Sequence, residues 1–236
     1  MDAVRISEVR WDVVRFMRVR VAQRTTNLFI DTASASSAST RLRRRRWSRL
    51  VSRFPDLAEM RVLDLGGTVR SWRLCPVRPA HLTLLNMFDQ SSGDATVIVG
   101  DACEPPAALE RERFDLVYSN SVIEHVGDHD RRRRFAETVR TLGTHHWVQT
   151  PNRYFPVEPH FLCPGLQFLP QGIAASYALR WPLGHYAGKL SSVDEAKREV
   201  AAIHLLSGRE VRVYFPSSDL LHEYVGPLIK SLIAAR

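Results

Sequence analysis

The sequence predicts an α/β domain built around a mostly parallel sheet. Three observations carry this expectation. Short apolar runs alternate with helical segments between residues 61 and 151, the pattern of strands buried on both faces. The first run, Arg61-Val-Leu-Asp-Leu, ends in two glycines, Gly66 and Gly67, where a backbone can come close to a ligand. The texture then changes after Pro151, and the alternation returns only near the C-terminus.

The elements follow in order. An N-terminal helix is expected within residues 3–30. Thr32–Thr40 contains only Ala, Ser and Thr and reads as a link. A helix over Thr40–Arg53 stops near Pro55. Strands are predicted at 61–65, 82–85, 96–99, 114–118 and 146–149, with helical patterns at Ser121–Val126 and Arg131–Leu142. Residues 151–188 hold six of the 13 prolines and many aromatics, and are expected to form a lid after the fifth strand. Ser207-Gly-Arg-Glu210 has the spacing of a capping box and should open a short helix before Pro216. Leu220–Val225 and Ser231–Ala235, with Gly226-Pro227 between them, read as two terminal strands. The organisation expected is a helical segment over 1–55 and a main domain over 56–236 that contains a lid at 153–190.

Composition narrows the class. The 236 residues, 44% hydrophobic and 25% charged, suit a globular domain. No apolar run approaches the ~20 residues that span a bilayer, and no secretory leader is expected. Three cysteines, odd in number and far apart, point to a reducing cytoplasm and away from a disulfide framework. The net charge is +8, and residues 1–60 carry +7 of it, from 13 Arg against 6 acidic residues. The run Arg43–Arg46 reads as a solvated helix face with Leu42, Trp47 and Leu50 packing inward. A nucleic-acid-binding module that uses this basic stretch is the alternative of another class, but no aromatic platform is interleaved with it.

Spacing adds weight to the glycine turn. The second strand ends at Asn86, about 20 residues on, where a nucleoside-binding fold places its ribose-binding residue. Gly100-Asp101-Ala102 follows the third strand. Phe114-Asp-Leu-Val then leads to Glu124-His-Val, and Thr150-Pro-Asn152 closes the fifth strand. These motifs, in this order, resemble the class I S-adenosylmethionine-dependent methyltransferases, closest to the group labelled methyltransferase type 11. The resemblance covers residues 60–155. It implies a Rossmann-like fold with a seven-stranded, mostly parallel sheet and helices on both faces. It also implies S-adenosylmethionine as cofactor, held by Asp64, Gly66, Gly67, Thr68, Asn86, Asp101, Ala102 and Ser119. Two departures stand out: Gly-Gly-Thr replaces Gly-x-Gly, and Asn86 replaces the second-strand acid. A homodimer is compatible with the family. The Gly-x-Gly-x-x-Gly spacing of dinucleotide dehydrogenases is absent.

The acceptor side is set where the fourth and fifth strands end. Ser119-Asn-Ser-Val lacks the (N/D)PP(Y/F) signature of base amino-methyltransferases, which favours a small-molecule or sugar oxygen. Glu124, His125 and His160 are the candidate catalytic residues. They read either as a Mg²⁺ site, with Glu158 as a spare ligand, or as a metal-free arrangement with His125 or His160 as general base. Asn152, Tyr154 and Glu158 are candidate substrate contacts. A carbohydrate hydroxyl is the leading acceptor, with a quinone-like or lipid-like acceptor behind it. His145 and His146 read as structural.

Overall fold

The computed structural model describes residues 38–90, 93–181, 183–186 and 188–236. The expected helix within 3–30 and most of the Ala/Ser/Thr link lie outside these residues. The described chain forms two compact units, one of Arg44–Phe155 with Ala202–Arg236, the other of Pro156–Ala201 with residues 38–43.

The larger unit is a seven-stranded sheet. Its strands are β1 (Arg61–Leu65), β2 (His81–Asn86), β3 (Thr96–Val99), β4 (Phe114–Asn120), β5 (Gly143–Pro151), β8 (Asp219–Val225) and β9 (Leu228–Ala235). The order is β3-β2-β1-β4-β5-β9-β8. Strands β1 to β5 are parallel, and β9 lies antiparallel between β5 and β8. The order reverses between β1 and β4, which makes their carboxyl ends the topological switch point where open α/β sheets bind ligands.

Alternation along the strands creates two cores. Leu63, Leu65 and Val117 face one side and pack with Phe135, Val139 and Leu142 of the helix His129–Leu142. Val62, Leu116 and Tyr118 face the other, against Trp47, Leu50 and Phe54 of the helix Ala38–Arg53. These two helices are called α4 and α1 here; the short helices Val69–Trp72 and Ala107–Glu110 are α2 and α3. On the α1 face Trp47 stacks on Tyr118 at 5.1 Å between ring centroids and tilts against Trp72 at 4.8 Å. Helices on both faces of a mostly parallel sheet are the architecture that the apolar runs imply.

Two expectations need correction. Ser121–Val126 is not helical. Ser121 adopts φ +57 and Ile123–His125 form a turn. The helix starts only at His129, because Asp128 caps it, its side chain accepting from Arg131 N at 2.9 Å. The arginine run is also not wholly solvated. Trp47 and Leu50 are buried as expected, but so is Arg46.

The second unit contains the ladder of β6 (Val157–Glu158) with β7 (Cys163–Pro164) and the helices α5 (Gln171–Arg180) and α6 (Val193–Ala201). Small residues, Ala174, Ala175, Ala178 and Ala196, fill its interior, and Phe161 stacks on Tyr186 at 4.7 Å.

The capping box read at Ser207 is present at the start of α7 (Gly208–Tyr214). Ser207 Oγ accepts from Glu210 N, and Glu210 accepts from Ser207 N at 2.8 Å. Ser207→Ala should lower the unfolding free energy by about 1 kcal/mol, read as a lower denaturant midpoint at unchanged slope.

Candidate functional site

The carboxyl ends of β1 to β4 bring together the residues that the sequence singled out for cofactor binding. Asp64 is 1% exposed, with its Oδ2 accepting from Trp72 Nε1 at 2.7 Å. Its Oδ1 is buried and has no hydrogen-bond partner among the described residues. Burial pushes this carboxyl up to about 7, and the Trp72 bond only partly offsets the shift.

The two glycines are needed for reasons internal to the protein. Gly66 has φ +81, where a side chain is strained, and an added Cβ would lie 2.5 Å from a Val122 methyl. At Gly67 an added Cβ would lie 1.7 Å from Asp64 Oδ2. The second glycine therefore makes room for the carboxylate beneath it. Sequence reasoning reserved that space for a ligand.

The neighbouring candidates brace the same turn. Asn86 Nδ2 and Gln90 Nε2 both donate to Gly67 O at 3.1 Å. Ser119 Oγ donates to Leu65 O at 3.0 Å. Thr68 caps α2, its Oγ1 accepting from Ser71 N at 3.3 Å. Asp101 accepts from Cys103 N at 2.8 Å and pairs with Arg131 at 2.5 Å. Partial burial raises its pKa, but these bonds outweigh it and hold the group below the usual carboxylate range. Ala102 is half-buried and packs against the α4-side core. Nothing in the sequence marks Trp72, Gln90 or Arg131, because none sits in a motif and their partners lie 8 to 30 residues away.

Beyond β4 and β5, Glu124 is fully buried and accepts from Thr150 Oγ1 at 2.9 Å. His125 is exposed in the turn. Asn152 is buried, donating to Ile229 O at 2.9 Å and accepting from Tyr154 N at 3.2 Å, while the Tyr154 ring is exposed. Glu158 and His160 belong to the second unit. There His160 Nδ1 lies 2.7 Å from Glu158 Oε1, and Glu158 Oε2 accepts from Phe161 N at 2.7 Å. A carboxylate at Nδ1 fixes the tautomer of a neutral ring and puts its lone pair on Nε2.

His146 has the structural role expected of it. Its Nε2 lies 2.7 Å from Ser218 Oγ, and burial, with Arg236 close by, lowers its pKa to about 4.

Comparison with known proteins agrees with this geometry. Residues 77–148 match the family model described as a methyltransferase domain. Two uncharacterised proteins of Mycobacterium tuberculosis are 35% identical over 63 residues, which is 26% of this chain and 21% of each relative's length. A solved S-adenosylmethionine-dependent methyltransferase from Mesorhizobium loti superposes with a TM-score of 0.50 at 14% identity, covering 80% of this chain and 96% of that one. A structure from Rhodobacter sphaeroides named as a putative zinc-dependent alcohol dehydrogenase gives 0.53 at 11% identity, covering 81% and 87%. At such identities the likeness is one of fold. The antiparallel β9 between β5 and β8 separates this sheet from the all-parallel 3-2-1-4-5-6 order of dinucleotide-binding domains.

The buried acid makes stability depend on pH. With a folded pKa near 7 and an unfolded value of 3.8, Asp64 binds its proton more tightly in the folded state. Its contribution is full below pH 4 and is lost as pH rises toward 7, at up to about 1.4 kcal/mol per unit. Asp64→Asn should match the wild type near pH 4 and exceed it in melting temperature at pH 8. A constant difference between the two melting curves across this range would contradict the assignment.

Proposed function

We propose that this chain, which has the class I methyltransferase fold and matches the methyltransferase domain over residues 77–148, transfers a methyl group from S-adenosylmethionine to a hydroxyl oxygen of a small molecule or saccharide. The observation that carries the reading is the braced glycine turn at the switch point between β1 and β4. The residues suit the cofactor chemically. Asp64 Oδ1 is a buried carboxylate oxygen at the base of the turn with no hydrogen-bond partner among the described residues, and S-adenosylmethionine carries a cationic ammonium and a sulfonium. When bound, the cofactor supplies an electrophilic methyl group.

The chain's own residues then have separate tasks. Gly66 and Gly67, with Asn86, Asp101, Ala102 and Ser119 around them, shape the cofactor side. Glu124 braces the turn after β4. A hydroxyl acceptor must lose a proton as it attacks. His160, oriented by Glu158, is suited to take that proton at Nε2, and His125 is the other candidate base. Asn152 and Tyr154 stand at the end of β5 as acceptor contacts, and residues 153–190 act as the lid. Magnesium fits poorly. The set Glu124, His125 and His160 offers one carboxylate and two imidazoles, whereas Mg²⁺ favours oxygen ligands and waters; no step is assigned to it.

One observation favours the second reading, a quinone-like or lipid-like acceptor. Phe168, Ile173 and Tyr177 of the second unit are 54%, 58% and 46% exposed, an apolar surface that a sugar acceptor does not require. Among the described residues no helix is long and apolar enough to cross a membrane. All three cysteines are buried and free, as suits a reducing cytoplasm.

Calorimetry should show S-adenosylhomocysteine binding at micromolar-range affinity, about −8 kcal/mol; a folded sample giving no heat rejects the methyltransferase reading. Once an acceptor is identified, His160→Ala should lower turnover by roughly 10²–10⁴-fold, with EDTA having no effect on the wild type. Loss on chelation that Mg²⁺ restores would reinstate the metal.

A further inference from the structure

The side of β4 that faces α1 carries an ion pair that the methyl-transfer reading does not use. Arg46 is 8% exposed. It donates to Glu223 of β8 through Nε and Nη2, both at 2.7 Å. Its third contact is Nη1 donating to Asn120 Oδ1 at the end of β4. Burial disfavours both charges, but the fork-to-fork pairing outweighs it, raising the arginine and lowering the glutamate. The three residues, from α1, β4 and β8, come from positions 74 and 177 apart in the chain.

This contact settles the orientation of the Asn120 amide. A guanidinium has five N–H donors and no acceptor, so only the amide oxygen can face it. The amide nitrogen must point the other way, and it makes no hydrogen bond to the described residues. Asn120 is half-buried and lies one residue past the Leu65–Ser119 register pair, level with Gly66 across the switch point. The charge on Arg46 is matched by Glu223, so the end of β4 presents a neutral, fixed N–H₂ donor.

We infer that the Arg46–Glu223 pair acts as a positioning device that holds Asn120 with its amide donors toward the acceptor, selecting a hydroxyl oxygen that carries negative charge as it attacks, such as a phenolate-type oxygen, over an amine. This rests on the methyltransferase reading and narrows its acceptor. An attacking amine keeps N–H groups that need a hydrogen-bond acceptor, and the one acceptor atom of the Asn120 side chain is turned toward Arg46. An oxyanion needs a donor and meets the amide N–H₂. Free rotation of the amide would let Asn120 serve either class; the arginine removes that freedom.

The test uses 4-nitrophenol, whose anion absorbs visible light, and 4-nitroaniline as its amine counterpart. Each is titrated with the full chain, with and without S-adenosylhomocysteine. The wild type should bind the nitrophenolate at least about tenfold more tightly than the aniline and raise the anion's absorbance, one charge-assisted hydrogen bond being enough for that ratio. Asn120→Asp retains a group for Arg46 but loses the donors, and should lose the nitrophenolate preference. The double variant Arg46→Met/Glu223→Leu removes the pair without stranding a buried charge, and frees the amide, so it should lose the preference while still binding S-adenosylhomocysteine within about twofold of wild type. Equal nitrophenolate affinity in wild type and Asn120→Asp, preference for the aniline, or failure of nitrophenol to bind in either state overturns the inference. Failure of S-adenosylhomocysteine to bind is a separate result and overturns the methyltransferase reading itself.

Discussion

The site is organised around one carboxylate that sits where a Cβ would otherwise be. Asp64 lies in the buried part of β1, one residue before the strand ends, and Gly67 folds directly over its oxygens. This packing ties three things together. The glycine turn keeps its shape only while residue 67 has no side chain. The carboxylate keeps its position through Trp72 Nε1. Trp72 in turn packs with Trp47 and Tyr118 in the core beneath α1. A change at any of these points reaches the turn at the switch point. The cost is a buried acid with one oxygen lacking a partner among the described residues, a liability that structures accept mainly where function requires it.

Two charge pairs brace the rest of the sheet, one buried and one part-exposed. Arg131 with Asp101 fixes the end of β3, and Arg46 with Glu223 fixes β8 against α1. The buried pair, Arg46 with Glu223, adds little net stability over apolar packing, but removing one member is costly because the other is left unpaired. The value of both pairs here is geometric. Arg131 with Asp101 holds the loop after β3, where backbone hydrogen bonding of the sheet has ended, and Arg46 with Glu223 ties α1 to β8.

Much of this was legible because it is local. Every parallel strand was marked by an apolar run, and β3 was read at the residues it occupies, Thr96–Val99. The Ser207–Glu210 capping box and the Gly226-Pro227 turn between β8 and β9 follow from neighbouring residues alone. The same locality explains the misreading at Ser121–Val126. Its composition permits a helix, but Ser121 is held at φ +57 by hydrogen bonds to Gln149, 28 residues away. The basic run misled in the same way. Arg43–Arg46 looks like one solvated face, and nothing near Arg46 reveals that Glu223 waits on β8.

By itself, then, the sequence determined the α/β class, the strand ends that carry the candidate site, and the glycine turn with its acid, because side-chain period, turn chemistry and capping are short-range effects. The tertiary structure alone decided what each of those residues does. It turned Asp64 inward to Trp72 and set Gly67 against it. It used Asn86 and Ser119 to brace backbone carbonyls and bound Asp101 to Arg131. It gave Asn120 its polarity through Arg46. Each of these depends on which groups meet across the sheet, and a hydrogen bond between residues distant in the chain leaves no periodic mark on either segment.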